Sequence, residues 1–177
     1  DPAKSRTTGA RLHLDPDRVY ANVKDMIRRE SARPAAERLD FITVVTPNVA
    51  HFEAVKLALL AGFHVVCEKP LAYTLEEGLA IRQLVAKTRR QFMVTHNYTG
   101  YPMVKEARRL VRAGEIGDLL KVVIEYPQGW LIRLAQKNAS KADVGIDLWR
   151  TDPKIAGISN CMGDIGTHAE KMNHYVT

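Results

Sequence analysis

Four short clusters in this chain carry residue types that do chemistry. The first, Gly163-Asp164-Ile165-Gly166-Thr167-His168, sets a carboxylate and an imidazole four residues apart. On a helix that spacing predicts both side chains on one face. A carboxylate beside an imidazole raises the ring's basicity and fixes its orientation, which is what an acid–base pair needs. The plainer reading is an Asp cap with an incidental His. Carboxylate and imidazole also bind zinc, but only two ligands are in view and His174 falls six residues on, across the helix. No metal is expected.

The second cluster is Glu68-Lys69-Pro70, which follows the apolar run Phe63-His64-Val65-Val66-Cys67 without a break. The run reads as a buried parallel strand. Ligands of open α/β sheets bind at the strands' carboxyl ends, so a lysine delivered there is placed to touch a substrate. A rigid, cis Lys69-Pro70 bond that fixes the lysine's aim is expected. The third cluster is Thr46-Pro47-Asn48 with His51, after the β-branched run Phe41 to Thr46. Thr46 and Asn48 can hydrogen-bond a ribose or an amide, and Asn48 can equally serve as a helix cap. The fourth is Thr95-His96-Asn97-Tyr98 after Phe92-Met93-Val94, where Asn97 is the best donor.

These clusters need a sheet to position them. Val19, Tyr20, Val23, Met26 and Ile27 recur at helical spacing behind Asp15-Pro16, with Pro16 in the first turn. Val49 to Leu60 predicts a helix with Val55, Leu59 and Leu60 on one side and Gly62 just past its end. Thr74 and Glu77 form a capping box for a helix that runs to about Thr88. Pro102 opens a helix with Val104, Ala107, Leu110 and Val111 inward and Gly114 as its stop, and Leu119 to Tyr126 reads as a longer strand. The stretch from Gln128 to about Gly163 reads as irregular, and the last helix should start near Asp164. Alternating helix and strand over the first ~100 residues implies a parallel sheet with right-handed crossovers, and the changed order after Pro102 implies a second unit.

Composition limits the function classes. The chain has 177 residues, 46% hydrophobic and 26% charged, with a formal charge of +6. Its basic residues scatter along helices and pair locally with Glu, as in Arg28-Arg29-Glu30, which argues against nucleic-acid binding. An anionic cofactor explains the mild basicity equally well. No apolar stretch approaches the ~20 residues of a membrane span, and no secretory leader is read at the start, so the cytoplasm is the expected compartment. Cys67 and Cys161 lack metal-type spacing, and Cys67 reads as a small core residue. No glycine-rich GxGxxG follows a strand here, and both ends look cut. A fragment of a larger protein is expected, one that would not fold into an active enzyme alone.

With these residues in place, the chain resembles the Gfo/Idh/MocA oxidoreductases, the group of glucose–fructose oxidoreductase and inositol dehydrogenase. The matching strings are VVTPNVAHFEAVKLALLAGFHVVCEKPLA, GYPMVKEARRLVRAGEIGDLLKV and GDIGTH, which fall in the family's order. The resemblance implies an α/β fold: a Rossmann-type NAD(P) domain, residues 1–100 here with its amino-terminal part missing. Residues 101–177 would begin a larger domain with an open antiparallel sheet. It implies hydride transfer between NAD or NADP and a sugar or cyclic-polyol hydroxyl, in a homo-oligomer when full length. Lys69 would contact the reacting hydroxyl and the nicotinamide ribose, and His168 would be the general base with Asp164 near it. Thr46, Pro47, Asn48, His51, Glu68 and Asn97 would lie along the cofactor. Trp149-Arg150 resembles a Trp-Arg pair that reaches cofactor or substrate in some members. Two other functions remain open on the same fold: a non-catalytic dinucleotide-binding regulator, and a glycoside hydrolase that uses NAD transiently.

Overall fold

The computed structural model describes residues 1–127, 129 and 148–177. Three parallel strands form its sheet in the order β1-β2-β3: β1 Phe41–Val44, β2 His64–Cys67 and β3 Phe92–Val94. Ile42 stands opposite Val65, and Cys67 opposite Val94. Helix α3 (His51–Leu60) makes the crossover from β1 to β2, and α4 (Leu75–Thr88) the crossover from β2 to β3. Each strand therefore ends at the same sheet edge, and every strand-to-helix loop leaves from it.

The apolar periodicities explain the packing. Along α3, His51, Ala54, Val55, Ala58 and Leu59 are buried, a stripe at three- and four-residue steps that lies on the sheet. Leu60, expected on that side, is 53% exposed, because it falls one step beyond the stripe. Ile42, Val44, Phe63, Val65, Cys67 and Ile81 complete the core. Burial pushes the Cys67 thiol up to about 12, which makes it an inert apolar side chain. Gly62 turns the chain from α3 into β2 at φ +85°, a left-handed conformation that suits glycine. The strands are not buried on both faces, although their continuous apolar runs predict that they would be. Phe41 and Met93 are each 55% exposed, since the helices described cover one side of the sheet.

The amino-terminal part departs from the sequence reading in two ways. Pro2–Arg11 is a helix (α1) that opens on the Asp1 side chain, an element not foreseen. Pro16–Arg18 forms only a 3-10 turn capped by Asp15, and α2 starts anew at Val23–Ser31, capped by Asn22. Two capping side chains eight residues or fewer apart split what apolar spacing joined. Between these elements a buried carboxylate, Glu30, accepts two bonds from Arg18 Nη2 at 2.9 and 3.1 Å and one from the Leu39 amide at 3.0 Å. The Tyr20 hydroxyl also donates to it.

The Thr74 cap holds, with the Glu77 amide donating to Thr74 Oγ1 at 3.2 Å; Glu77's carboxylate accepts from Tyr73 N instead of closing the box on Thr74. Helix α5 (Pro102–Arg112) packs on the last helix, Thr167–Val176, with the Arg108 guanidinium 4.3 Å from the Tyr175 ring centre. Leu119 to Tyr126, expected as a strand, has no ladder, and Leu120 is 96% exposed. Among the described residues it has no neighbouring strand to pair with, and an isolated strand does not hold. Much of the stretch read as irregular, residues 128 and 130–147, lies outside the described residues; after it come a short helix, Pro153–Ala156, and the turn into the last helix.

Candidate active site

At the carboxyl edge of the sheet, β2 runs straight into Glu68-Lys69-Pro70. The ladder continues one step past the strand, since the Glu68 amide donates to the Val44 carbonyl at 2.9 Å. The Lys69–Pro70 peptide is cis, as expected. The Lys69 ammonium turns inward and donates to Asp164 twice, to Oδ1 and to the main-chain oxygen, each at 2.6 Å. Residues 95 positions apart thus meet in one charge-assisted pair, with side chains only 16% and 22% exposed. Arg150 Nε approaches the same Oδ1 at 3.8 Å, with its guanidinium 4.7 Å from the Trp149 ring centre. Asp164 therefore sits between two cations.

The same-face expectation for Asp164 and His168 meets an irregular helix. Met162–Gly166 is a π turn, with slightly more residues per turn than an α-helix, so residues four apart still fall close to one face. Asp164 is drawn to Lys69, whereas the His168 Nδ1 is buried without a hydrogen-bond partner among the described residues. His168 is instead held by rings. Tyr98 stacks on it with centres 4.2 Å apart, and His96 stands edge-on at 6.1 Å. Burial lowers the His168 pKa below its ordinary 6.5, and Lys69 and His96 push it the same way. Asp164 and Glu68 pull it upward but do not win, so the ring is neutral at neutral pH. The carboxylate does not make this imidazole more basic overall, contrary to expectation.

The other expected residues divide into two groups. A cavity of about 140 Å³ is lined by Val45, Thr46, Asn48, Glu68, Lys69, Pro70, Trp149, Arg150, Ala156, Asn160 and Asp164. It gathers the ends of β1 and β2 with the segment that carries Trp149-Arg150. Asn48 is 6% exposed, and its side-chain amide donates to the Ala156 carbonyl at 2.7 Å. It ties that segment to the sheet rather than capping a helix. Pro47 precedes the 3-10 turn at Asn48–Ala50. His51 is fully buried, its Nε2 2.8 Å from the Thr46 carbonyl and its Nδ1 2.9 Å from the Pro70 carbonyl. It stitches together the two loops that carry Thr46 and Lys69. Asn97 is exposed and is not brought into the cavity lining.

Three participants were missed in the sequence: His96 and Tyr98 around His168, and Asn160 in the cavity wall. The first two lie in the Thr95-His96-Asn97-Tyr98 string, where Asn97 drew attention as the better donor. Asn160 carries a left-handed φ of +43°, which no local pattern announces. Among the described residues no group of three His, Cys, Asp or Glu side chains gathers as a metal site. No helix there is long and apolar enough to cross a membrane.

The family model of the oxidoreductase family with an NAD-binding Rossmann fold, GFO_IDH_MocA, matches residues 1–96. The chain belongs to the Gfo/Idh/MocA family. An uncharacterized oxidoreductase of Bacillus subtilis, YfiI, is 34% identical over 176 residues, 99% of this chain and 43% of its own length. A levoglucosan dehydrogenase of Pseudarthrobacter phenanthrenivorans is 37% identical over 136 residues, 76% of this chain and 32% of its own. The crystal structure of an inositol dehydrogenase homolog from Azotobacter vinelandii, complexed with NADH and myo-inositol, superposes with a TM-score of 0.84 at 32% identity. That match covers 99% of this chain and 42% of the other. The chain thus spans less than half the length of these Gfo/Idh/MocA relatives.

The residues present suit a nicotinamide. Glu68 lines a crevice at the carboxyl edge of a parallel sheet, where dinucleotides bind in such folds. Lys69 supplies a cation beside it.

Proposed function

We propose that this chain carries the reaction centre of an NAD(P)-dependent dehydrogenase that oxidises a hydroxyl of a sugar or cyclic polyol. The observation that carries this reading is the convergence of Lys69, Asp164 and a neutral, buried His168 at one sheet edge. Thr46, Pro47 and Glu68 would hold the nicotinamide end of the cofactor, which supplies hydride acceptance when bound. Lys69 then polarises the substrate hydroxyl and stabilises the developing alkoxide. His168 takes the hydroxyl proton, which its neutral ring is ready to do. Asp164 keeps the Lys69 ammonium in place, and Trp149 and Arg150 close the far wall. The names of two relatives, levoglucosan dehydrogenase and inositol dehydrogenase homolog, support a cyclic polyhydroxylated substrate.

The test uses the full-length protein with NAD+ or NADP+ and a panel of sugars and inositols, followed by nicotinamide absorbance. Lys69→Ala should lower kcat by about 10²- to 10³-fold, the usual cost of losing a group that stabilises developing negative charge. Unchanged turnover in Lys69→Ala would sink the reading. So would release of free sugar from a glycoside with no net NADH.

A further inference from the structure

His96 has no part in the chemistry described so far, yet it lies against the base. It follows β3 directly and stands perpendicular to His168, with ring centres 6.1 Å apart. The Nδ1 atoms of both rings are buried without hydrogen-bond partners among the described residues. Leaving one such nitrogen unsatisfied is costly, and two side by side are unusual in a folded core. The two histidines also differ in access. His168 is only 4% exposed and has one face covered by Tyr98, whereas His96 is half-buried.

Building on the dehydrogenase reading above, we propose that His96 and His168 form a single-proton pair, in which His96 receives the proton that His168 takes from the substrate and passes it to solvent. The balance is simple. As hydride leaves the carbinol carbon with its electron pair, the O–H bond breaks and its pair closes the carbonyl. The freed proton forms an N–H bond on His168. That bond breaks as an N–H forms on His96, which then gives the proton to water. The ring spacing is too wide for a direct N–H···N bond, so the relay requires one bridging water between the rings during turnover.

The surrounding charges keep the pair at no more than one proton. Lys69, Asp164, Glu68 and the neutral Tyr98 surround His168, and Lys69, Glu68, Glu170 and Lys171 act on His96. Lys69 disfavours protonation of both rings, and each protonated ring would repel a proton on the other.

The experiment follows the histidine ring signals by NMR in the full-length protein, with no cofactor or substrate, against pH. In the wild type the two rings should titrate as a coupled pair. In His96→Gln, His168 should titrate in one step with its midpoint moved upward; an unmoved midpoint overturns the pair. With cofactor and substrate, kcat of His96→Gln in dilute buffer should fall about tenfold, within the range of a lost proton-transfer group, and added imidazole should restore it. A loss that imidazole does not restore overturns the relay. His96→Asn is the second variant, and unchanged NADH fluorescence on binding reports that each variant is folded. The titration needs no turnover, so it can fail while the dehydrogenase reading stands, and the reverse.

Discussion

Two buried polar clusters in this protein are built on opposite plans. Around Glu30 the carboxylate's own needs are met: Arg18, Tyr20 and the Leu39 amide all donate to it, although Arg33 Nε, 3.4 Å away, is buried without a hydrogen-bond partner among the described residues. Burial alone would raise its pKa, but these donors hold it down at about 2. Around His168 the plan is reversed. Among the described residues its Nδ1 has no partner, its neighbour His96 is in the same condition, and burial lowers both rings' affinity for protons. A saturated cluster fixes a fold, because any change costs it a bond. A cluster with unmet hydrogen-bonding capacity can take up a substrate's proton.

The largest effect that could break this contrast is on stability. Glu30→Ala removes the acceptor of all these donors and leaves Arg18 and Tyr20 facing an apolar gap. Truncating one partner of a buried pair typically costs 3–5 kcal/mol, and that loss is expected in urea unfolding of the full-length protein. Any molecules that remain folded should keep wild-type kcat. A variant with wild-type stability would mean that the Glu30 cluster is decoration.

Asp164→Asn should do the reverse. The amide oxygen can still accept from Lys69, as can the main-chain oxygen of the same residue, so the loss of stability should be smaller than in Glu30→Ala. Without the carboxylate's charge the ammonium is held less firmly, and kcat should fall by about 10²-fold, equivalent to ~2.7 kcal/mol. An equal loss of stability and no loss of turnover would merge the two clusters into one structural class.

Acid separates the clusters in a single titration. His96 and His168 have folded pKa values below their ordinary 6.5, so the unfolded chain binds more protons there. Their contribution is complete above about pH 6.5 and is lost as pH falls below it. Glu30 is also depressed, from 4.5 to about 2, so its contribution is present above pH 4.5 and lost between there and about 2. Stability measured against pH should therefore fall in two stages. His96→Gln should shrink only the upper stage, and a single loss confined to pH 4.5 and below would contradict the histidine burial.

What was legible beforehand follows the same division. The strand ends were readable because β-branched runs broken by Pro47 and by Glu68-Lys69-Pro70 are local signals, and the sheet edge then gathers them by topology. What spacing could not show for Asp164 and His168 was their environment: Lys69, 95 positions away, takes the carboxylate, and burial outweighs its pull on the imidazole. Asn48 as a cap failed for a different reason: its bond spans 108 residues, and a buried amide takes whichever carbonyl packs against it. The Glu30 cluster was invisible since its members, from Arg18 to Leu39, meet only after α2 has folded back on the turn before it. The unpaired stretch from Leu119 shows the limit of alternation as a strand signal, since a ladder needs a neighbour.

The smallest expected effect is at Tyr98, and it asks what holds His168 in place. Its hydroxyl lies 2.9 Å from that of Tyr126, and this bond, with burial, lifts the phenol to about 12. The phenol is therefore neutral throughout the working range and does not compete for the substrate's proton. Its ring is the part in contact with His168. Tyr98→Phe keeps that contact and removes only the exposed hydroxyl bond, so stability should fall by no more than ~1 kcal/mol and kcat by less than about threefold. Tyr98→Ala removes the ring and should cost more in kcat than in KM, because it frees His168, the proposed base, and leaves the crevice at Glu68 and Lys69 lined as before. If Tyr98→Phe instead abolished turnover, the hydroxyl would be an acid–base group in its own right, and the unsatisfied cluster would have three members.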